Sequence, residues 1–322
     1  MMGGTLYIHV GLAKTGTSAI QGTARDTPIP GLTYPRTGQW PDGAHHILAG
    51  FSDPPLPAGA AGLEASFRAE LDASTGDMLI SSEGLTGKGA LARFLSQYDD
   101  RFKTRFDRMI PIIVLRHPLD RIASAYNQTI KEPERNETRD PDAFLTQAGP
   151  SQLNAQMVVG WRQEFPDTRF LGHNPASTLV ERFFDLIGHP VSGIAPQTRN
   201  RSMNGTTLIA LLIAKRLLPS PADRTAFFDR LRQDKSQKPW KGETFPFSAA
   251  AVSAFVAAHG ADEVETIKRL TGVDLGSSDA GVRRRFTLTD TDRAFILRHV
   301  EPLPGFEDRR PEFEALIGAF CS

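Results

Sequence analysis

The sequence is poor in cysteine and carries no net charge. It has one cysteine, Cys321, in 322 residues, so a disulfide within the chain is excluded, as is typical of proteins from a reducing compartment. Lys and Arg together number 37, the same as Asp and Glu together. No overall field therefore draws the chain to nucleic acid or to a membrane surface, and any anion site must be local.

Long apolar runs are also missing. The longest, such as residues 208–214, are far too short to span a bilayer. The first apolar stretch, residues 6–10, has no basic region before it, so we expect no signal peptide. These absences predict a soluble, cytoplasmic protein without a membrane span, and the composition suggests a bacterial source.

Three segments have the composition of buried strands: residues 6–10, 78–82 and 109–115. Pro111 is awkward inside the third and marks a candidate start of regular pairing. Helical stretches separate these segments, which predicts an α/β fold with a P-loop-type parallel sheet flanked by crossover helices.

Beyond residue 150 the pattern becomes mostly helical. Helices are predicted over residues 152–165, 176–187, 206–218, 248–259 and 290–299, with a short strand at 168–171. The charged segment 131–142 is predicted to be a solvated loop, with a mobile cover over the site as the alternative. We predict one domain over residues 1–322, with an α/β nucleotide-binding core at 1–190 and a mainly helical part at 191–322.

Ligands of parallel sheets bind beyond the carboxyl ends of the strands. That rule selects residues 11–18, 82–84 and 116–118. The first of these, GLAKTGTS, follows a strand and can open a helix, so its backbone N–H groups and the helix N-terminus favour a phosphate or sulfate ester. It is not a complete nucleoside-triphosphate P-loop, because only two residues separate Gly11 from Lys14 and Gly16 follows the lysine.

A second motif follows the third strand. Arg116 ends the strand, Pro118 suits the first turn of a helix, and Ser124 lies on that helix. A guanidinium and a hydroxyl converging from these positions can hold a second phosphate, since the Arg fork matches phosphate oxygens.

Together the two motifs resemble those of sulfotransferases that use 3′-phosphoadenosine 5′-phosphosulfate (PAPS), and the bacterial and Golgi carbohydrate-type members in particular. The similarity covers roughly residues 5–130. Residues 11–18 resemble the family's 5′-phosphosulfate loop, and Arg116, Ser124 and Tyr126 match the spacing of its 3′-phosphate motif. The resemblance implies sulfuryl transfer from PAPS to a hydroxyl or amine of a small-molecule or saccharide acceptor, without a metal. It implies cofactor contacts from Gly11, Lys14, Thr15, Gly16, Thr17, Ser18, Arg116 and Ser124.

The resemblance also implies catalytic roles. Lys14 would approach the bridging oxygen of the leaving phosphate, and an acceptor hydroxyl needs a base. Glu83, directly after the second strand, is the first candidate for that base, although the cytosolic members have a histidine. His45 and His46, in the segment 27–62 that is dense in Pro and Gly, compete for the role and are candidates for acceptor binding. We expect His9 to be a core or near-site residue, and His117 to have no catalytic role.

Other function classes stay open. A P-loop kinase acting on a small molecule would need a Gly-Lys-Ser/Thr loop and a metal-holding Asp at a strand end, where this chain has Arg116. A non-catalytic nucleotide-binding protein of the same fold, or a structural partner protein, is the further alternative. Two polar segments, residues 199–204 and the basic stretch 235–241, are candidates for closing over the cofactor and for contacting an anionic acceptor. The acceptor's identity and the oligomeric state are left undetermined.

Overall fold

The structure, a computed structural model, describes residues 3–50, 60–86, 89–174, 176–191, 193, 203–234, 236, 245–276 and 285–321. The elements up to residue 131 are β1 (Gly4–Val10), α1 (Thr17–Asp26), β2 (Leu32–Thr33), α2 (His46–Gly50), α3 (Ala60–Ala73), β3 (Asp77–Ser82), α4 (Ala90–Arg105), β4 (Phe106–Leu115) and α5 (Pro118–Lys131). The rest are α6 (Pro141–Ala148), α7 (Ala155–Glu164), β5 (Arg169–Gly172), α8 (Leu179–Leu186), α9 (Gly205–Leu217), α10 (Pro221–Gln233), α11 (Ala249–Phe255), α12 (Ala261–Thr271), α13 (Asp290–Val300) and α14 (Arg310–Gly318).

The five strands form one parallel sheet in the order β2-β3-β1-β4-β5. The prediction of a parallel α/β sheet with its helices is therefore confirmed. All four predicted strands are present, and β2 is an addition at the edge. Strand β1 is central, and its carboxyl end lies between those of β3 and β4.

Pro111 lies in β4, opposite Ile8 of β1. The pairing of β4 with β5 begins one residue later, at Ile112. A proline cannot donate to a ladder, so it is tolerated where pairing on one side has not yet begun. Pro111 thus marks the start of the β5 ladder, whereas the β1 ladder already begins at Phe106.

The chain divides into two compact units, each made of three segments. The first comprises residues 1–116, 155–200 and 265–275 and contains the whole sheet. Within it, α1 and α8 pack on one sheet face, where Ile20 and Phe183 meet Tyr7, Leu79 and other apolar residues of alternate strand positions. The prediction of one domain over residues 1–322, with a nucleotide-binding core at 1–190 and a mainly helical part at 191–322, stays a prediction.

The second unit comprises residues 117–154, 201–264 and 276–322. Helix α9 is its centre: every residue from 205 to 215 is buried, as expected of a helix that is covered on all sides. The predicted helices at 206–218 and 290–299 match α9 and α13 closely. The helix predicted at 248–259 is shorter, because α11 ends at Phe255 and a π-helical turn, Val256–Gly260, leads into α12.

Residues 132–140 form a loop, as predicted, but they are held by a buried cation. The ammonium of Lys215 donates to the carbonyls of Thr129, Glu132 and Arg135 at 2.6, 2.7 and 2.7 Å. Burial lowers the pKa of Lys215 to about 8. The loop is therefore held in place by hydrogen bonds within the second unit.

In the described part of the chain, no helix is long and apolar enough to cross a bilayer.

Candidate functional site

Residues 11–16 form a turn between β1 and α1, Thr17 and Ser18 begin α1, and side chains of this segment fix the shape of the turn. The hydroxyls of Thr15 and Thr17 both donate to the carbonyl of Leu12, at 2.7 and 3.2 Å. Lys14 and Gly16 have left-handed backbones, with φ of 70° and 88°. The hydroxyl hydrogens of both threonines are thus used in bonds to Leu12.

This backbone is suited to an anion. When residues with a left-handed backbone lie at the start of a helix, successive N–H groups point toward one place. The first turn of α1 adds its partial positive charge there. Gly16 is the N-cap of α1, and no side chain caps the helix there. Lys14 is the one non-glycine residue with positive φ in the described ranges, a conformation that costs energy and is concentrated at functional sites.

Gly16 is required by space as well as by φ. A Cβ at this position would lie 2.3 Å from Cδ2 of Leu179, which is buried in the core of the first unit. We expect Gly16→Ala to destabilise the protein by about 2–4 kcal/mol, from the left-handed backbone and the overpacking together. Chemical denaturation measures this. The matched control is Gly160→Ala on α7, where a Cβ meets nothing within 4 Å and where Ala should stabilise the helix by up to about 1 kcal/mol. Equal stabilities of the two variants would contradict this account of the turn.

Arg116 joins the second motif to the first. It follows the last residue of β4, and its Nη1 donates to the carbonyl of Lys14 at 2.9 Å. The two residues are far apart in sequence, yet β1 and β4 are neighbours in a parallel sheet and end at the same edge. This hydrogen bond joins the Arg116 side chain to the main chain of Lys14, and the cofactor roles of both residues stay predictions.

Glu83 lies against the same turn. It follows β3 directly and begins a short 3-10 helix, Glu83–Thr86. The N–H of Gly11 donates to the carbonyl of Ser82 at 3.3 Å, and the hydroxyl of Thr86 donates to the carbonyl of Gly11 at 2.8 Å. A Cβ on Gly11 would lie 3.2 Å from Cγ of Glu83, so the carboxylate stem and the turn are in close contact.

His45 does not suit the role predicted for it, and that prediction is corrected. Its ring is fully buried; Nδ1 accepts from the N–H of Ser81 at 3.2 Å and Nε2 donates to the carbonyl of Pro35 at 2.8 Å. Burial lowers the pKa of His45 to about 4. Both ring nitrogens of His45 are hydrogen-bonded and no solvent reaches the ring, so the ring offers no atom to a substrate. Its hydrogen bonds connect the segment of residues 34–46 to β3.

His46 is partly exposed and remains a candidate. Its Nδ1 lies 3.2 Å from Oγ of Ser82, the residue that precedes Glu83. Its ring contacts that of Trp40, with centroids 4.8 Å apart and planes at 69°. His46 therefore lies beside the predicted base, at the same strand end.

His9 is a core residue, as expected. Its Nδ1 is 2.8 Å from Oγ of Ser81, which also accepts from Nε2 of Gln21 at 3.0 Å. Its ring packs edge-on against Phe183, with centroids 4.9 Å apart. Burial lowers the pKa of His9 to about 3, and its Nε2 has no hydrogen-bond partner among the residues described. The neutral ring supports the strands beneath the site.

Sequence reasoning missed two residues, His173 beside the turn and Trp40 beside His46. His173 follows β5, and its N–H donates to the carbonyl of Leu115 at 2.7 Å. Its Nε2 would lie 3.7 Å from a Cβ on Gly16, so the ring is beside the start of α1. The strand-end rule that selected Arg116 could have found it, because a strand was predicted at residues 168–171. Trp40, the other, gives no signal in sequence.

Ser124 and Tyr126 lie on α5 in the second unit. Ser124 is half-buried, and its cofactor role stays a prediction. Tyr126 is a core residue whose hydroxyl donates to the carbonyl of Arg139 at 2.9 Å. Of the polar segment 199–204, the structure describes only 203 and 204, and the Asn204 side chain caps α9 by accepting from the N–H of Thr207. In the basic stretch 235–241 only residue 236 is described.

These features define an α/β protein with a glycine-rich turn at the carboxyl edge of a five-stranded parallel sheet. No protein-family model and no curated protein matches the chain. Among solved structures, the chain is similar to mouse sulfotransferase SULT7A1 complexed with PAP. The identity is 12%, the TM-score is 0.35, and the alignment covers 87% of this chain and 86% of that chain. A likeness at this level carries no weight for either fold or function.

Proposed function

We propose that this protein is a sulfotransferase that moves a sulfuryl group from PAPS to a hydroxyl or amine of an acceptor. The observation that carries the proposal is the hydrogen bond from Arg116 to the carbonyl of Lys14. It brings the residue types of a 5′-phosphosulfate loop and of a 3′-phosphate motif to one strand edge. The proposal thus depends on two motifs and not on the glycine-rich turn alone.

The residues present fit such a co-substrate. The turn at residues 11–18 has left-handed backbones at Lys14 and Gly16, and α1 begins there without a side-chain cap. Its N–H groups would hold the 5′-phosphate, and Arg116 would serve the 3′-phosphate. The role of Ser124, which rests on motif spacing alone, stays a prediction. No group of three or more metal-ligating side chains is found among the described residues, and the absence of a metal from the reaction stays a prediction.

PAPS would supply the activated sulfuryl group, and the chain's own residues would do the rest. Lys14 and the N-terminus of α1 stabilise negative charge on the leaving phosphate. Glu83 accepts the proton of the acceptor hydroxyl as that oxygen attacks. The rigid turn holds Lys14 in position, and Gly11 allows Glu83 to approach it. Positioning and electrostatics, as in phosphoryl transfer, account for most of the rate.

The competing functions differ in their ligands. A small-molecule kinase needs a Gly-Lys-Ser/Thr loop and an acidic metal ligand at a strand end, and here the strand end holds Arg116. A non-catalytic protein of this fold would bind the nucleotide without transferring a sulfuryl group, so a measurement of turnover distinguishes it from an enzyme. A structural partner protein would bind no nucleotide.

The proposal is tested by thermal unfolding with 3′-phosphoadenosine 5′-phosphate (PAP). At a hundredfold excess over its dissociation constant, we expect PAP to raise the Tm by about 5 °C, and ATP with magnesium to raise it much less. Arg116→Ala should abolish the PAP shift. Arg108→Ala is the matched control, because Arg108 is an exposed residue nearer the other end of β4. Equal shifts from PAP and ATP, or a PAP shift unchanged by Arg116→Ala, would remove the basis for the proposal.

A further inference from the structure

Trp40 is the one exposed large hydrophobic residue in the part of the chain that the structure describes, with 53% of its surface accessible. A single exposed apolar side chain is ordinary on protein surfaces. Exposure alone therefore says nothing about function. A functional role of Trp40 is inferred from the hydrogen bonds that hold its backbone and from the contacts of its ring.

The turn that carries Trp40 is fixed. The N–H of Trp40 donates to the carbonyl of Ala44, and the N–H of Gly43 donates to the carbonyl of Trp40, both at 2.8 Å. The hydroxyl of Tyr34 donates to the carbonyl of Gly43 at 2.6 Å, and Arg25 of α1 donates to the carbonyl of Pro41. The indole thus stands on a turn that is tied to the first helix, and a ligand that stacks on it has little backbone to order.

A line of contacts leads from this indole to the predicted base. The ring of Trp40 meets the ring of His46 at 4.8 Å. Nδ1 of His46 lies 3.2 Å from Oγ of Ser82. Ser82 is followed by Glu83, which contacts the glycine-rich turn at Gly11. The exposed aromatic residue is therefore connected, through His46 and Ser82, to the strand end that carries the predicted base.

We propose that Trp40 and His46 form the acceptor-binding platform and that the acceptor is a saccharide. This inference rests on the proposed function. A flat aromatic acceptor such as a simple phenol is normally enclosed in an apolar pocket, whereas the indole here is half open to water. A pyranose ring has a face of C–H groups and a rim of hydroxyls. The indole takes the face, and the imidazole of His46 bonds a hydroxyl at the rim and turns it toward Glu83.

Tryptophan supplies this contact at low cost in conformational entropy, because only two side-chain torsions are fixed on binding. His45 contributes indirectly. Its buried hydrogen bonds to Ser81 and Pro35 hold the segment that carries both platform residues. The structure therefore divides the neighbouring histidines, with His45 positioning the segment and His46 facing the ligand.

The test measures binding of neutral saccharides to the full chain in the presence of PAP. The probes are methyl glucoside, methyl galactoside, cellobiose and an oligomer of N-acetylglucosamine, with para-nitrophenol as the aromatic alternative. Binding is followed by calorimetry and by the NMR signal of the Trp40 indole N–H, assigned with Trp40→Phe. We expect at least one saccharide to shift that signal and Trp40→Ala to weaken its binding about tenfold or more. Arg36→Ala, an exposed residue of the same segment, is the control and should bind normally.

Saccharide binding that is unchanged in Trp40→Ala would overturn the platform. Binding of para-nitrophenol together with no binding of any saccharide would also overturn it, and would indicate an aromatic acceptor instead. The PAP shift in the same variant separates the two proposals. If PAP still stabilises Trp40→Ala while saccharide binding is lost, both proposals are supported. If saccharide binds through Trp40 and PAP has no effect on any variant, Trp40 is a saccharide-binding residue, but the sulfotransferase proposal fails and the acceptor role fails with it.

Discussion

Glu83→Gln is expected to lower sulfuryl transfer by about 100- to 10,000-fold and to leave PAP binding nearly intact. Glutamine has the size of glutamate, so the contact with Gly11 and the turn is preserved. Its amide cannot accept a proton from the acceptor hydroxyl, so the step that needs a base is lost. The effect therefore falls on turnover and not on the nucleotide.

Transfer is measured with labelled PAPS and a panel of saccharide, phenol and amine acceptors, and PAP binding is measured by the Tm shift. Glu164→Gln is the matched control, because Glu164 is an exposed residue at the end of α7 in the same unit. Normal transfer in Glu83→Gln would exclude Glu83 as the base. The role would then pass to His46, since His45 has both ring nitrogens engaged in the core.

Lys14→Ala and Lys14→Gly are both expected to lower transfer by about 100- to 1,000-fold, the usual loss when one group that stabilises transition-state charge is removed. Both should also lose the PAP shift. They differ in stability, because Lys14 has a left-handed backbone with φ of 70°. Glycine adopts this conformation without strain, so Lys14→Gly should be more stable than Lys14→Ala by about 0.5–1 kcal/mol.

Denaturant unfolding compares the two variants, and Lys103→Ala, an exposed lysine of α4, is the control for loss of a positive charge. Equal stability of the Gly and Ala variants would contradict the left-handed turn. Sulfuryl transfer at the normal rate in either variant would show that Lys14 does not stabilise the leaving group, whatever the stabilities of the two variants. The two variants thus test whether Lys14, the residue that supplies the positive charge of the site, also has a strained backbone.

The central strands were predictable from sequence, because each is a short β-prone run with clear boundaries. Residues 6–10, 78–82 and 109–115 all fall inside observed strands. Helices α3 and α4 were not predicted, although they carry local signals: Phe67 and Leu71, four residues apart, are both buried, and so are Leu91 and Leu95. Strand β2 has only two residues and forms because β3 offers a partner edge, so its signal is not local.

The two histidines at 45 and 46 show where sequence reasoning ends. Adjacent residues of the same type have the same intrinsic chemistry, and nothing in the local pattern separates them. One ring is enclosed between Ser81 and Pro35, and the other lies beside Trp40 and Ser82. The distinction comes from contacts across more than thirty residues of chain, as the Ser81 N–H bond to His45 illustrates.

By itself the sequence determined the parallel α/β class, the glycine-rich turn after the first strand, and the cationic and acidic residue types at three strand ends. These follow from local composition and from the rule that parallel strands present their carboxyl ends together. Only the tertiary structure decided that Arg116 bonds the carbonyl of Lys14, that Glu83 contacts the turn, and that Trp40 lies exposed beside His46. The physical reason is that such contacts depend on strand order and on side-chain burial, which are set by packing among distant segments.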